Sequence, residues 1–96
     1  MGEIKELTNF YAAIQDDPRI GTTHISLYMA LFQLYNLNGF ANPISICRKR
    51  VMEAAKISGL ATFHKCIKHL DEFGYIRYLP SYNSAINSQV YLLKGN

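Results

Sequence analysis

The sequence predicts a single mainly α domain closed by a small β-hairpin, an α+β arrangement of four helices plus two or three short strands. Three observations predict it. Apolar residues recur at steps of three and four in four separate stretches, the helical signature. Two short runs near the C-terminus are dense in aromatic and branched residues and are bounded by turn formers, the strand signature. The length, 96 residues, suits one core and not two, so residues 1–96 are read as one domain.

Residues 3–15 carry Ile4, Leu7, Phe10, Tyr11 and Ile14 at helical spacing and predict an amphipathic N-terminal helix. The polar run Asp16 to Gly21 contains Pro18 and Gly21 and predicts a loop, so residues 1–21 form a helix-and-loop unit ahead of the rest. A second helix is expected from Thr22 or Thr23, with a threonine hydroxyl as its cap, to Leu37, where Asn38-Gly39 stops it. Its apolar residues, Ile25 through Leu37, point in more directions than one neighbouring helix covers. Either the rest of the domain or a second copy of the chain must cover them.

After Pro43, Ile44-Ser45-Ile46 is a short β-prone piece. From about Cys47 to Ile57 the pattern is helical, with Val51, Ala54 and Ala55 on one side and basic residues mostly on another. Ser58-Gly59-Leu60 interrupts it. Residues 61–73 resume the helical spacing through Phe63, Cys66, Ile67, Leu70 and Phe73, and Gly74 supplies a left-handed stop. Tyr75 to Leu79 and Gln89 to Leu93 are the two strands, and the polar stretch Pro80 to Ser88 between them suits a projecting loop.

The net charge is +3, but it is unevenly spread. Between Arg48 and His69 stand Arg48, Lys49, Arg50, Lys56, Lys65 and Lys68 against the single acid Glu53, leaving four cations against six acids elsewhere. Such a basic segment fits a polyanionic partner, although a solvated helix surface carries charge in the same way. No apolar run approaches the roughly 18 residues of a membrane span, and the first six residues carry charge at Glu3, Lys5 and Glu6 in place of an apolar stretch. With only Cys47 and Cys66, a disulfide framework is not expected; a reducing cytoplasm is.

The element order, and above all the stretch from Lys56 through Phe63-His64-Lys65-Cys66-Ile67-Lys68-His69-Leu70-Asp71-Glu72-Phe73-Gly74 to Tyr75-Ile76, resembles the bacterial winged helix-turn-helix family over residues 44–93. More narrowly it is similar to small regulators of mobile elements and to N-terminal domains of replication initiators. The resemblance implies double-stranded DNA as partner, with a reading helix in the major groove braced by the helix before it. Side chains opposite the apolar stripe would then read: Thr62, His64, Lys65, Lys68 and His69. Arg48, Lys49 and Arg50 sit at the start of the bracing helix, where they oppose its dipole, which suggests phosphate contact. The wing loop contains no Lys or Arg, so the wing would depend on Arg77, Lys94 and backbone or Asn, Ser and Tyr hydrogen bonds. The reading face also lacks Arg, Asn and Gln, the bidentate base readers, so selectivity would be modest or rest on DNA shape. Against the family pattern of the turn, the spacing of Ala55, Gly59 and Phe63 shifts its length by a residue or two.

Other chemistries find little support. His64, Cys66 and His69 superficially offer metal ligands, but Cys66 belongs to the apolar stripe and the histidines are five residues, about 500°, apart on a helix. Asp16-Asp17 and Asp71-Glu72 are adjacent pairs that diverge, neither cysteine has a base partner, and no glycine-rich phosphate loop occurs. The sequence therefore implies no enzyme, metal, cofactor or small-molecule ligand. The expected function is DNA binding in transcriptional control or in replication or recombination of a mobile element; the alternative is a winged helix used for protein interaction. A homodimer through the N-terminal helix and the second helix is expected, with completion of a monomer core as the competing use of Phe10, Tyr11 and Ile14.

Overall fold

The computed structural model describes residues 2–83 and 86–93, with side chains from residue 5 onward. Its elements run α1 (Gly2–Gln15), α2 (Thr22–Leu37), β1 (Ile44–Ile46), α3 (Arg48–Ala55), α4 (Leu60–Glu72), β2 (Ile76–Leu79) and β3 (Ser88–Leu92). The strands form one antiparallel sheet in the order β1-β3-β2, so β3 is central and the β2–β3 hairpin is the wing. Four helices with this small sheet are a winged-helix-like α+β arrangement, as the sequence pattern requires.

The sheet is pinned by apolar alternation. Ile44 faces Val90, and Ile76 faces Leu92, and all four are buried on the face turned to the helices. Pro43 cannot donate a ladder hydrogen bond, and Asn42 substitutes with its side chain. Its Nδ2 donates to the Leu92 carbonyl at 2.9 Å and its Oδ1 accepts from the Leu92 N–H at 3.0 Å. Against the sheet lie Leu27 and Leu31 of α2, Val51 of α3, and Phe63, Ile67 and Leu70 of α4, all fully buried. Each side chain of this size contributes about 1.5–3 kcal/mol on leaving water.

Helix α1 adds an outer layer. Phe10 is 3% exposed and stacks on Tyr28 of α2 with ring centroids 3.7 Å apart, while Leu7 and Ile14 pack against the core edge. Phe10 and Ile14, expected as dimer surface or monomer core, are thus largely covered within one chain; Tyr11 remains exposed. Burial pushes the Tyr28 hydroxyl up to about 12, with smaller contributions from Glu6 and Tyr35. Among the described residues no helix is long and apolar enough to cross a membrane.

Two local expectations are corrected. The α2 cap is Gly21, whose extended backbone begins the helix; its N–H donates to Nδ1 of His24 at 3.0 Å, and no threonine hydroxyl caps the helix. A three-residue step back along the chain is the reach of a capping-box side chain, and an imidazole fills that place here. Ala54 is exposed, because α3 is only eight residues long and buries Val51 and Ala55 alone. The turn after α3 starts at Lys56, left-handed at φ 62°, and Gly74 ends the α4 segment at φ 87°, a conformation that favours glycine.

Candidate nucleic-acid interface

Helix α4 buries Phe63, Cys66, Ile67 and Leu70. At 100° per residue the opposite side of the cylinder falls to residues 61, 65, 68 and 72. Ala61, Lys65, Lys68 and Glu72 are exposed, so the helix presents two lysines outward with one acid a turn beyond Lys68. Among the described residues the ion pair is that of Arg19 with Asp17, and neither lysine is held by a carboxylate.

The flanks of this face differ. On the wing side, His64 and Lys68 line a cleft with Tyr78, Pro80 and Tyr82. The His64 ring stands edge-on to Phe63 at 5.5 Å, and Tyr82 is 95% exposed. Thr62 is exposed in the first turn, close against Gly59.

On the other flank lies His69, half-buried against α2. Its Nδ1 is 3.0 Å from Nε2 of His24, and its ring stacks on Phe73 at 5.1 Å. The guanidinium of Arg19 covers the other residue of that stack, 4.0 Å from the Phe73 ring centroid. Arg19 is held in turn by Asp17 through Nε to Oδ1 at 2.8 Å and Nη2 to Oδ2 at 2.9 Å, and the Tyr75 hydroxyl donates to Asp17 Oδ2 at 2.7 Å. Hydrogen bonds from Arg19 and then Tyr75 hold the Asp17 carboxyl well below the usual carboxylate range. Burial, and then the bond to Asp17, push the Tyr75 hydroxyl up to about 12.

The three consecutive cations of α3 are divided. Arg48 and Lys49 border a groove with Met52, Ile57, Ser58 and Leu60, at the junction with α4. They also border the base of the wing at Ser81, Asn83 and Asn87. Arg50 lies about 200° around the helix from Arg48 and lines a separate cleft with Leu34 of α2, Ser45 and Asn87. Lys56 is exposed in the turn. Arg77 alternates with buried Ile76 and pairs in register with Tyr91, which puts it on the outer face of the sheet, away from the face that Tyr78 turns to α4. Lys94 lies outside the described residues.

Of the expected site residues the structure therefore brings Lys65 and Lys68 to one face with His64 on its wing side; Thr62 is exposed in the first turn on the other side, and Arg48 and Lys49 border the start of α4 at Ser58 and Leu60. His69, Arg50 and Arg77 face elsewhere. Sequence reasoning offered the tyrosine of the wing loop as a hydrogen-bonding group but did not place Tyr82 and Pro80 beside Lys68. It also missed the partnership of His24 with His69, which are 45 positions apart and carry no local signature. Among the described residues no group of three or more His, Cys, Asp or Glu is placed to hold a metal ion. Cys66 is buried, and burial pushes its thiol up, away from nucleophilic use. Compared with protein-family models, with curated proteins and with solved structures, the chain matches none of them.

Proposed function

We propose that the chain is a double-stranded DNA-binding protein and not an enzyme. Helix α4 lies in the major groove, and Arg48 and Lys49 at the start of α3 meet the flanking phosphates. The observation that carries this reading is the outward face of α4, where Lys65 and Lys68 stand exposed, with no carboxylate partner among the described residues, on a helix whose other side is locked into the core. Lysine is a point donor, so these contacts give affinity and orientation more than base discrimination. The role that fits is transcriptional control, or replication or recombination of a mobile element, in the cytoplasm. Two copies acting as a homodimer would set their α4 helices in grooves about 34 Å apart.

Fluorescence anisotropy of a labelled duplex across a salt series tests this. The apparent affinity falls linearly on a log-log plot against salt, and Lys65→Ala with Lys68→Ala lowers the slope by about 1.8, two lost phosphate contacts at about 0.9 each. An unchanged slope removes α4 from the interface. Stoichiometry in the same titration reads the assembly: two chains per duplex for the homodimer, one if the chain acts alone.

A second reading, a winged helix that binds protein, is favoured by one observation. The wing exposes Leu79 at 41%, Tyr82 at 95% and Ile86 at 58%, and no cation is found among its described loop residues. Under that reading the lysine variants bind partner normally and Tyr82→Ala does not.

A further inference from the structure

We infer that His69 is a positioning residue, joined to His24 in a neutral imidazole–imidazole hydrogen bond that fixes how α4 sits on the N-terminus of α2. This rests on the DNA-binding reading only for its consequence, not for its geometry. The Gly21 N–H donates to Nδ1 of His24, so the single proton of the neutral His24 ring is on Nε2. That Nε2 is 3.0 Å from Nδ1 of His69, which must then be the acceptor. One chain of contacts thus fixes both tautomers. It also argues against a metal bridging the two rings, because the nitrogen a metal would need carries the proton.

The two hydrogen bonds, Gly21 to His24 and His24 to His69, survive together only while both rings are neutral. A proton added at Nδ1 of His24 opposes the Gly21 N–H, and one added at Nδ1 of His69 opposes the Nε2–H of His24. The groups that face the pair are Lys65 on α4 and Asp17 in the α1–α2 loop, with Arg19 reaching it through the Phe73 ring. Burial first, then His69 and Lys65, push the His24 imidazole below its ordinary value, against a smaller upward pull from Asp17. A base held below its unfolded value contributes stability that is complete above about pH 6.5 and is lost as pH falls through the folded value.

The test has two arms. In a long-range proton–nitrogen NMR spectrum of the wild-type chain at pH 7.5, His24 is expected as the Nε2–H tautomer, with coupling across the hydrogen bond to Nδ1 of His69. The Nδ1–H tautomer of His24 overturns the inference whatever the chain binds. In the second arm duplex affinity is compared among variants. His24→Ala and His69→Ala each weaken binding about fivefold, the double variant weakens it no further, and His69→Asn, whose Oδ1 accepts in place of Nδ1, recovers most of the loss. A loss with His69→Ala and none with His24→Ala would make His69 a DNA contact and overturn the inference. If no variant and no wild-type chain binds duplex while the tautomer is as expected, the DNA-binding reading fails and the positioning bond stands.

Discussion

On the flank of α4 that faces the α1–α2 loop, polar groups are tied to one another; on its outward face and on the flank that faces the wing, they are left open to solvent. His69 meets His24, Phe73 lies under Arg19, and Arg19 and Tyr75 both meet Asp17. Lys65, Lys68 and Tyr82 carry the same kinds of chemistry, a cation or an aromatic ring with a polar end, yet stand exposed. Cation, aromatic and imidazole side chains are thus no guide to function by type. Whether the fold already satisfies them is the guide, because a satisfied group gains nothing further from a partner.

The largest expected effect comes from removing the ring at the centre of the tied flank. Phe73→Ala deletes the surface on which both Arg19 and His69 rest and is expected to cost about 2 kcal/mol, below the range for a fully buried phenylalanine because Phe73 is only half-buried. Chemical denaturation measures it, and a change within about 0.5 kcal/mol would dissolve the distinction between the flanks.

A smaller effect follows in acid. The Asp17 carboxyl is held below its unfolded value, so the folded chain resists taking up its proton. Its contribution is complete above about pH 4 and is lost as pH falls further. Thermal melts between pH 5 and pH 2.5 should drop more steeply for the wild type than for Asp17→Asn. Parallel curves would show that the Arg19 and Tyr75 bonds contribute nothing in solution. The smallest effect belongs to the open flank: Tyr82→Ala, at a side chain 95% exposed, should leave stability within about 0.5 kcal/mol. A larger loss would mean that the wing cleft is part of the fold.

The same contrast explains what the sequence disclosed. The apolar spacing at 63, 66, 67 and 70 and the alternation through Ile44, Ile46, Val90 and Leu92 reflect burial, which is periodic, so α4 and the sheet were readable to within a residue or so. Gly74 was readable because a positive φ has a preferred residue. The outward place of Lys65 and Lys68 followed from the same period. His69 was not readable, because helical spacing puts it at the margin of the outer face and its partner comes from a distant helix. Arg50 was grouped with Arg48 and Lys49 by adjacency along the chain, and Arg77 was assigned to the wing with no reading of which face of the sheet it takes. Neighbours on a helix diverge by 100°, and neighbours on a strand point to opposite faces. The α2 cap was missed because a histidine ring took a role usually filled by a hydroxyl or carboxyl group.

If α4 binds DNA, it does so through its open side. Backbone amide shifts of the labelled chain, followed while a short duplex is added at low salt, test it most directly. Shifts are expected to concentrate at residues 61, 62, 64, 65 and 68 and at Arg48 and Lys49, with residues 17–24 and 73–75 nearly still. Shifts centred on 17–24 and 73–75, or none along α4 at saturating duplex, would contradict it.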